Sequence, residues 1–409
     1  MLLNSPTVAI LNSRKPRRVS PSDRWISTTI ALTEEAVRRG LTIVSSLGML
    51  TYDLVTFMAT RLGSPTIIVL DSLLPDLLPP DKQAEFQEKF AGLFDPEKTT
   101  FVSPFQPERK IPNRSGRTLE RDRRVVSLAC RVWVGEIRAG GNMEKLARTA
   151  LKKGRRVQVF CPSVFDKFTS GNQALLSLGA EEIKPGNLVM RQSPCQLNKP
   201  QRCPAAANTL LIGPPFRLSE YLFHYTRSCY GPWPGQSWAD YIGSLVAGDT
   251  GAAHTGFDTL CRILSERLIR ASHRLVRGNV PVVSFSACLP THLANIRKWN
   301  PALIRWTFEP YAVAIRKATL DEMGALPVIY GPEAKFQQLL EIERVRFQLH
   351  APPKTDWSSE KEWRITGDID LSHLSPEDLL VVVSTEHEAL SIQEKFSLPV
   401  INLSAARNC

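Results

Sequence analysis

Through its first 185 residues the chain alternates short β-branched runs with helix-length amphipathic stretches, and that alternation restricts the fold more than any other feature. VAIL (8–11), TIVSS (42–46), TIIVL (66–70), TFV (100–102), RVWVGE (131–136) and RVQVF (156–160) each have the length of a strand. Between them the spans 23–39, 50–62, 81–93, 117–128 and 142–153 carry helical periodicity. Strands that are apolar throughout, rather than at every second position, need cover on both faces. A mostly parallel sheet with helices on each side supplies that cover. We therefore expect an α/β, Rossmann-like first domain over 1–185.

Residues 186–212, rich in Pro, Asn, Gln and Ala, lose all periodicity and read as a linker. From 213 to 409 the texture changes: six of the eight tryptophans lie beyond residue 230, and strands no longer alternate with helices. A second, α+β domain is expected there. Two domains also suit a chain of 409 residues.

The 51 Lys and Arg against 40 Asp and Glu give a net charge of +11, which favours polyanionic partners. The excess is concentrated in RKPRR (14–18) and RKIPNRSGRTLERDRR (109–124), both beside strand ends. No run approaches the roughly 20 apolar residues that span a bilayer. Basic residues precede any long apolar stretch, so no export signal and a cytoplasmic location are expected. The eight cysteines are scattered, and the spacing of Cys195 and Cys203 fits no zinc site, so reduced thiols are expected. His254, His273, His292, His350, His373 and His387 show no metal-ligand spacing either.

In open parallel sheets ligands bind outside the carboxyl ends of the strands, near the point where strand order reverses. Asn12-Ser13-Arg14 follows the first strand, and Ser45-Ser46-Leu47-Gly48 with Asp53 follows the second. Arg138-Ala139-Gly140-Gly141-Asn142 follows the strand at 131–136 and opens a helix, where backbone N–H groups and the helix dipole favour an anion. None of these is a full dinucleotide or Walker signature.

Their order, however, resembles the DprA/Smf DNA-processing family. AILNSR (9–14), GLTIVSSLGMLTYD (40–53), LERDRRVVSLACRVWVGE (119–136), RAGGNMEKLARTALKKGRRVQVFCP (138–162) and GNQALLSLGAEEI (171–183) are similar to that family's successive blocks. The resemblance implies a pocket for a phosphorylated nucleotide or single-stranded DNA, lined by Ser13, Arg14, Ser46, Gly48, Asp53, Arg121, Arg123, Gly140 and Gly141. It also implies self-association as a homodimer. Three positions depart from the family: Ser46 stands for a glycine, Asp122 for an asparagine between two arginines, and Gly141-Asn142 for a glycine-serine pair. A carboxylate beside those arginines weakens phosphate affinity unless it pairs with one of them.

In the second domain, YLFHYT (221–226) reads as a strand with Phe223 and Tyr225 on one face and His224 and Thr226 on the other. PVVSFSACLP (281–290) carries Ser284 and Ser286 on one side. PYAVAIRK (310–317) and PVIYG (327–331) follow, then DWSSEKEWRI (356–365), in which Glu360, Glu362 and Arg364 are expected on one strand face. LLVVVST (379–385) is expected to close the sheet. A histidine strand, a serine strand and a late glutamate strand resemble the diphtheria-toxin-type ADP-ribosyltransferases, and their order is also similar to the AbiGi-type abortive-infection proteins. The resemblance implies His224, Ser286, Glu360 and Glu362 as catalytic residues in a phage-defence effector. NAD is the cofactor it implies, though no cofactor is fixed by the sequence. The alternative is a non-catalytic DNA-processing or recombination-mediator protein whose second domain binds a protein partner.

Overall fold

The computed structural model describes residues 5–16, 18–107, 112–184, 216–273, 276–277, 279–293, 297–300, 305–352 and 356–403. The expected linker at 186–212 lies outside the described residues. Two compact units emerge, Met1–Lys199 with Tyr230–Ala253, and Pro200–Cys229 with His254–Cys409.

The first unit is built on an all-parallel sheet of seven strands, in the order β4-β3-β2-β1-β5-β6-β7. They are β1 (Thr7–Leu11), β2 (Thr42–Ser46), β3 (Thr66–Val69), β4 (Thr99–Val102), β5 (Arg131–Val134), β6 (Arg156–Phe160) and β7 (Glu181–Ile183). Connecting helices are α1 (Arg24–Arg38), α2 (Leu50–Arg61), α3 (Pro80–Phe90), α4 (Arg114–Leu128), α5 (Asn142–Lys152) and α6 (Ser170–Leu176). β1 shows why its sequence is apolar at consecutive positions. Val8 and Ile10 pack with Leu32, Ala36, Val55 and Ala59 of α1 and α2. Ala9 and Leu11 pack on the other side with Val125, Val126, Met143 and Ala147 of α4 and α5. Both faces are covered, and each buried Val, Ile, Leu or Met side chain here contributes about 1.5–3 kcal/mol.

The chain lays β1 to β4 outward in one direction, then returns to place β5 on the other side of β1. The reversal leaves a crevice at the carboxyl ends of β1 and β5.

The first unit contains one further element. The helix α7 (Trp238–Ala247) is capped by the Ser237 hydroxyl, which accepts from the Asp240 N–H, and stopped by Gly248 at φ 82°. Its apolar stripe, Tyr241, Ile242 and Leu245, is buried with Trp25, Ile26, Leu54 and Phe57. The expected boundary at 213 therefore does not separate the two units cleanly. The aromatic texture of this stretch announced burial without saying which core received it.

The second unit holds a mixed seven-stranded sheet. Its strands in spatial order are Leu326–Pro327, Glu362–Thr366, Val282–Ser286, Tyr221–Tyr225, Ala312–Arg316, Leu379–Val383 and Val400–Asn402. Every pairing is antiparallel except the last. Leu379–Val383 is thus not the closing strand, because Val400–Asn402 pairs along its outer side. PVIYG is divided as well: Pro327 pairs in the main sheet, while Ile329–Gly331 pairs with Phe347–Leu349. Alternation holds in the central strands. Phe223 and Tyr225 pack with Ala312, Ala314 and Val382 on one face, and Leu222 packs with Val283, Val313 and Ile315 on the other.

Among the described residues no helix is long and apolar enough to cross a membrane, and no group of His, Cys, Asp and Glu could hold a metal ion. Among the described residues, Cys130, Cys161, Cys261 and Cys288 form no disulfide.

Candidate functional site

At the crevice of the first unit, the loops after β1 and β5 are tied together by short polar side chains. The Asn12 amide accepts from the Glu136 N–H at 2.9 Å and donates to Thr29 at 3.0 Å. A Cβ on Gly135 would stand 2.5 Å from that amide oxygen, so only glycine fits. Ser13 accepts from the Arg138 N–H at 3.0 Å, and Asn172 receives the Ile137 N–H at 2.9 Å. Glu136, buried beneath, accepts from Lys15 at 2.7 Å and from Arg24 at 2.5 Å. This framework leaves Arg14 and Arg138 exposed on adjoining loops, and neither makes an ion pair among the described residues. Gly140, at φ 74°, and Gly141, the cap of α5, present backbone beside them.

The loop after β2 is held by Asp53 in the first turn of α2. Its Oδ1 accepts the Gly48 N–H at 2.8 Å, and Gly48 itself turns the chain at φ 82°. The other oxygen and the indole N–H of Trp238 are both buried without a hydrogen bond of good geometry. Burial pushes the Asp53 carboxyl up to about 6, against the opposing influence of the Gly48 N–H, Trp238, Lys89 and Arg121.

Several residues expected to line the ligand are interior instead. Ser46 is fully buried under the loop. Arg121 and Asp122 face one another, with Arg121 Nη2 and Nε at 2.8 and 3.0 Å from Asp122 Oδ1, and the guanidinium lies over the Tyr52 ring at 5.2 Å. The Tyr52 hydroxyl donates to the same carboxylate at 3.3 Å. Burial raises the Asp122 pKa, with Arg121 pulling the other way. The departure at position 122 therefore does pair with an arginine, and both serve as an internal strut. Arg123 lies about 200° further round α4, exposed and 3.4 Å from Glu120. It does not converge with Arg14 and Arg138.

The second unit contains a cavity of about 410 Å³ whose walls include all four residues singled out there, His224, Ser286, Glu360 and Glu362. Sheet register sets Ser286 beside Glu362, whereas His224, packed on Phe285, lines the cavity from the alternate face of its strand. Ser286 lies opposite Glu362 on one neighbouring strand and Phe223 on the other, and Ser284 lies opposite Arg364. His224 Nδ1 is 3.0 Å from the Ser284 carbonyl, an acceptor, so Nδ1 carries the proton and Nε2 is the acceptor. Burial lowers the imidazole to about 4, leaving it neutral.

Glu362 is gripped by Arg364, whose Nε and Nη2 reach its two oxygens at 2.8 and 3.1 Å. The remaining Arg364 donors go to the carbonyls of Val345 and Phe347 and to Gln348. Glu360 is not on the strand as expected. It ends a 3-10 turn, Ser358–Glu360, and Lys361 at φ 46° separates it from the strand that starts at Glu362. It faces the cavity all the same. Its carboxyl has no hydrogen bond or ion pair among the described residues, and burial, then the charge of Glu362, pushes it up to about 7. Ser286 donates to the Glu360 carbonyl at 2.5 Å and accepts the Cys288 N–H at 3.0 Å. Its hydroxyl is engaged as a brace for the Glu360 turn.

Sequence reasoning missed the cavity's aromatic wall, Trp306, Phe308 and Trp357, and the cations Arg227 and Arg270. These come from separate loops and carry no motif. It also missed the Lys15, Arg24 and Glu136 cluster, where only the acidic end of RVWVGE gave a signal.

An open parallel sheet whose order reverses beside two glycine-bearing, cationic loops defines a Rossmann-like domain of the nucleotide- or nucleic-acid-binding class. Residues 1–193 match the family model of DNA recombination-mediator protein A, so the amino-terminal domain is similar to that family. Among solved structures, DNA processing protein A from Streptococcus pneumoniae is similar at 22% identity, with 46% of this chain and 62% of that chain covered and a TM-score of 0.35. The likeness thus spans less than two thirds of that relative's length. DNA processing protein A from Helicobacter pylori, a structure concerned with its single-stranded DNA binding mode, is similar at 23% identity, covering 46% of this chain and 79% of that chain at a TM-score of 0.35. The Moco carrier protein of Chlamydomonas rheinhardtii is similar at 11% identity, covering 44% and 91% at a TM-score of 0.28. No curated protein matches the chain.

Proposed function

We propose that the amino-terminal domain binds single-stranded DNA, with a phosphorylated nucleotide as the competing ligand. The observation that carries this reading is the pair of exposed guanidiniums, Arg14 and Arg138, on loops locked together at the strand reversal. Preset cations beside backbone N–H groups suit a phosphate chain. Similarity of residues 1–193 to a recombination-mediator family supports the same ligand. Anisotropy of a labelled oligothymidylate should show binding that weakens steeply with salt as counterions are retained. The double change Arg14→Ala and Arg138→Ala should remove most of it. If that variant binds DNA normally but loses a nucleotide competitor, the domain is a nucleotide sensor.

We further propose that the second unit is an effector with glycosidic chemistry, placing the protein in phage defence. Convergence of His224, Glu360 and Glu362 on one cavity supports this over a purely partner-binding role. NAD is the first substrate to try: nicotinamide release should be abolished by Glu362→Gln. No release, with or without DNA, would favour the rival in which the second unit docks a protein partner in DNA processing. A homodimer belongs to the same proposal and is read by light scattering.

A further inference from the structure

We propose that the cavity of the second unit acts on nucleosides or nucleotides whose base is uncharged, with Glu360 the proton donor to the departing base and Glu362 the fixed anion. The assignment rests on the catalytic reading above and narrows its substrate.

Two carboxyl groups share this cavity in unlike surroundings, the arrangement by which acid and anion roles are divided in glycoside cleavage. Glu362 has both oxygens engaged by Arg364, which fixes the carboxylate in place. Glu360 has no such partner among the described residues. The charged groups that act on it are Glu362 and Arg364 on the adjoining strand, Arg227 after the histidine strand, and Lys298 beyond the serine strand. With its carboxyl near 7, about half the molecules hold the proton at neutral pH. His224, neutral and low in basicity, does not compete for that proton.

A protonated carboxyl discriminates between substrates. In NAD the nicotinamide nitrogen is already cationic, so the pair of electrons from the broken bond neutralises it and no proton is needed. An uncharged base receives the same pair as an anion and leaves readily only if protonated. The full step is hydrolysis. The bond from C1′ to the base nitrogen breaks, its electrons go to the base, and the Glu360 proton goes with them. Glu362 opposes the positive charge that develops on the sugar. Water then adds oxygen to C1′ and returns one proton to Glu360, so that nucleoside and water yield free base and sugar. Trp306, Phe308 and Trp357 offer ring faces for the base, and Arg227 and Arg270, the latter paired with Glu266, line the same cavity. A volume of about 410 Å³ falls in the usual range for small-ligand sites.

The full chain is incubated separately with adenosine and guanosine 5′-monophosphates and with NAD between pH 5 and 9, and free base is quantified by chromatography. Base should appear from the monophosphates, at a rate falling about tenfold per pH unit above about 7. Glu360→Gln, a near-isosteric change, should lower it at least about 100-fold with an unchanged melting temperature. If nicotinamide is released while the monophosphates stay intact and Glu360→Gln remains active, the substrate class is wrong but the catalytic reading survives. If no substrate releases base, both fall together. Independently of turnover, infrared titration should show a protonated-carboxyl band vanishing near pH 7 in the native protein and missing in Glu360→Gln. Its absence in the native protein overturns the proton-donor assignment.

Discussion

Replacing Asp53 by asparagine tests whether the loop after β2 is braced by a carboxylate that is costly to keep charged. Asp53 is fully buried, and its pKa rises from 3.8 to about 6 in the folded chain. Because the folded value is raised, the group favours folding most below pH 3.8, and that contribution is lost as pH climbs through about 6. A shift of this size corresponds to about 3 kcal/mol at neutral pH. Asparagine keeps an oxygen for the Gly48 N–H and has no charge to bury. It does turn an N–H toward the Trp238 indole, so a constant packing cost is expected on top. The discriminating quantity is therefore the pH-dependent part. Relative to the native protein, the variant should gain about 2 kcal/mol between pH 4.5 and 7.5, or roughly 4–8 °C in the melting temperature of the first unit. Urea titrations at both pH values, followed by tryptophan fluorescence, measure it. An equal loss of stability at the two pH values would refute the reasoning, because it would mean the charged carboxylate is fully compensated in place.

Three other changes probe the remaining framework. Gly171→Ala places a Cβ 2.9 Å from the Arg138 carbonyl carbon, so it should cost about 1–3 kcal/mol in thermal unfolding and weaken oligonucleotide binding by shifting the Arg138 loop. Arg364→Met strands a half-buried Glu362 and should cost about 3–5 kcal/mol, much of it recovered in the double variant with Glu362→Gln, as calorimetry would show. Ser286→Ala removes two hydrogen bonds, about 1 kcal/mol each, yet should leave measurable base release if the serine is a brace. Complete loss of turnover with an intact fold would mark it as a nucleophile instead.

The parallel sheet was legible because β1, β2, β3, β5 and β6 are buried on both sides and therefore read as unbroken apolar runs. β7 escaped as a separate strand, since Glu181 and Glu182 are exposed and only Ile183 is buried. The site was less legible in proportion to how far its partners lie apart in sequence. Arg121 looked like a ligand cation from the arginine-rich helix, and its pairing with Asp122 under the Tyr52 ring depends on packing that no local pattern encodes. In the second unit, strand alternation correctly separated Phe223 and Tyr225 from the other face, and the serine strand does set Ser286 beside Glu362. The positions of Glu360 and Ser286 were set by a turn and by backbone carbonyls, which leave no trace in side-chain patterning.

The docking of Trp238–Ala247 on the first core carries a consequence for how the polypeptide is made and cut. The strand Tyr221–Tyr225 of the second unit leaves the ribosome before α7, so the amino-terminal unit is still missing a helix when synthesis of its neighbour has begun. Amino-terminal domains ordinarily finish first during translation. A fragment ending at residue 213 would lack Tyr241, Ile242 and Leu245 and leave Trp25, Ile26 and Phe57 without their cover. Such a fragment should aggregate, and expression trials that seek the amino-terminal unit alone would need to graft residues 230–253 back onto it.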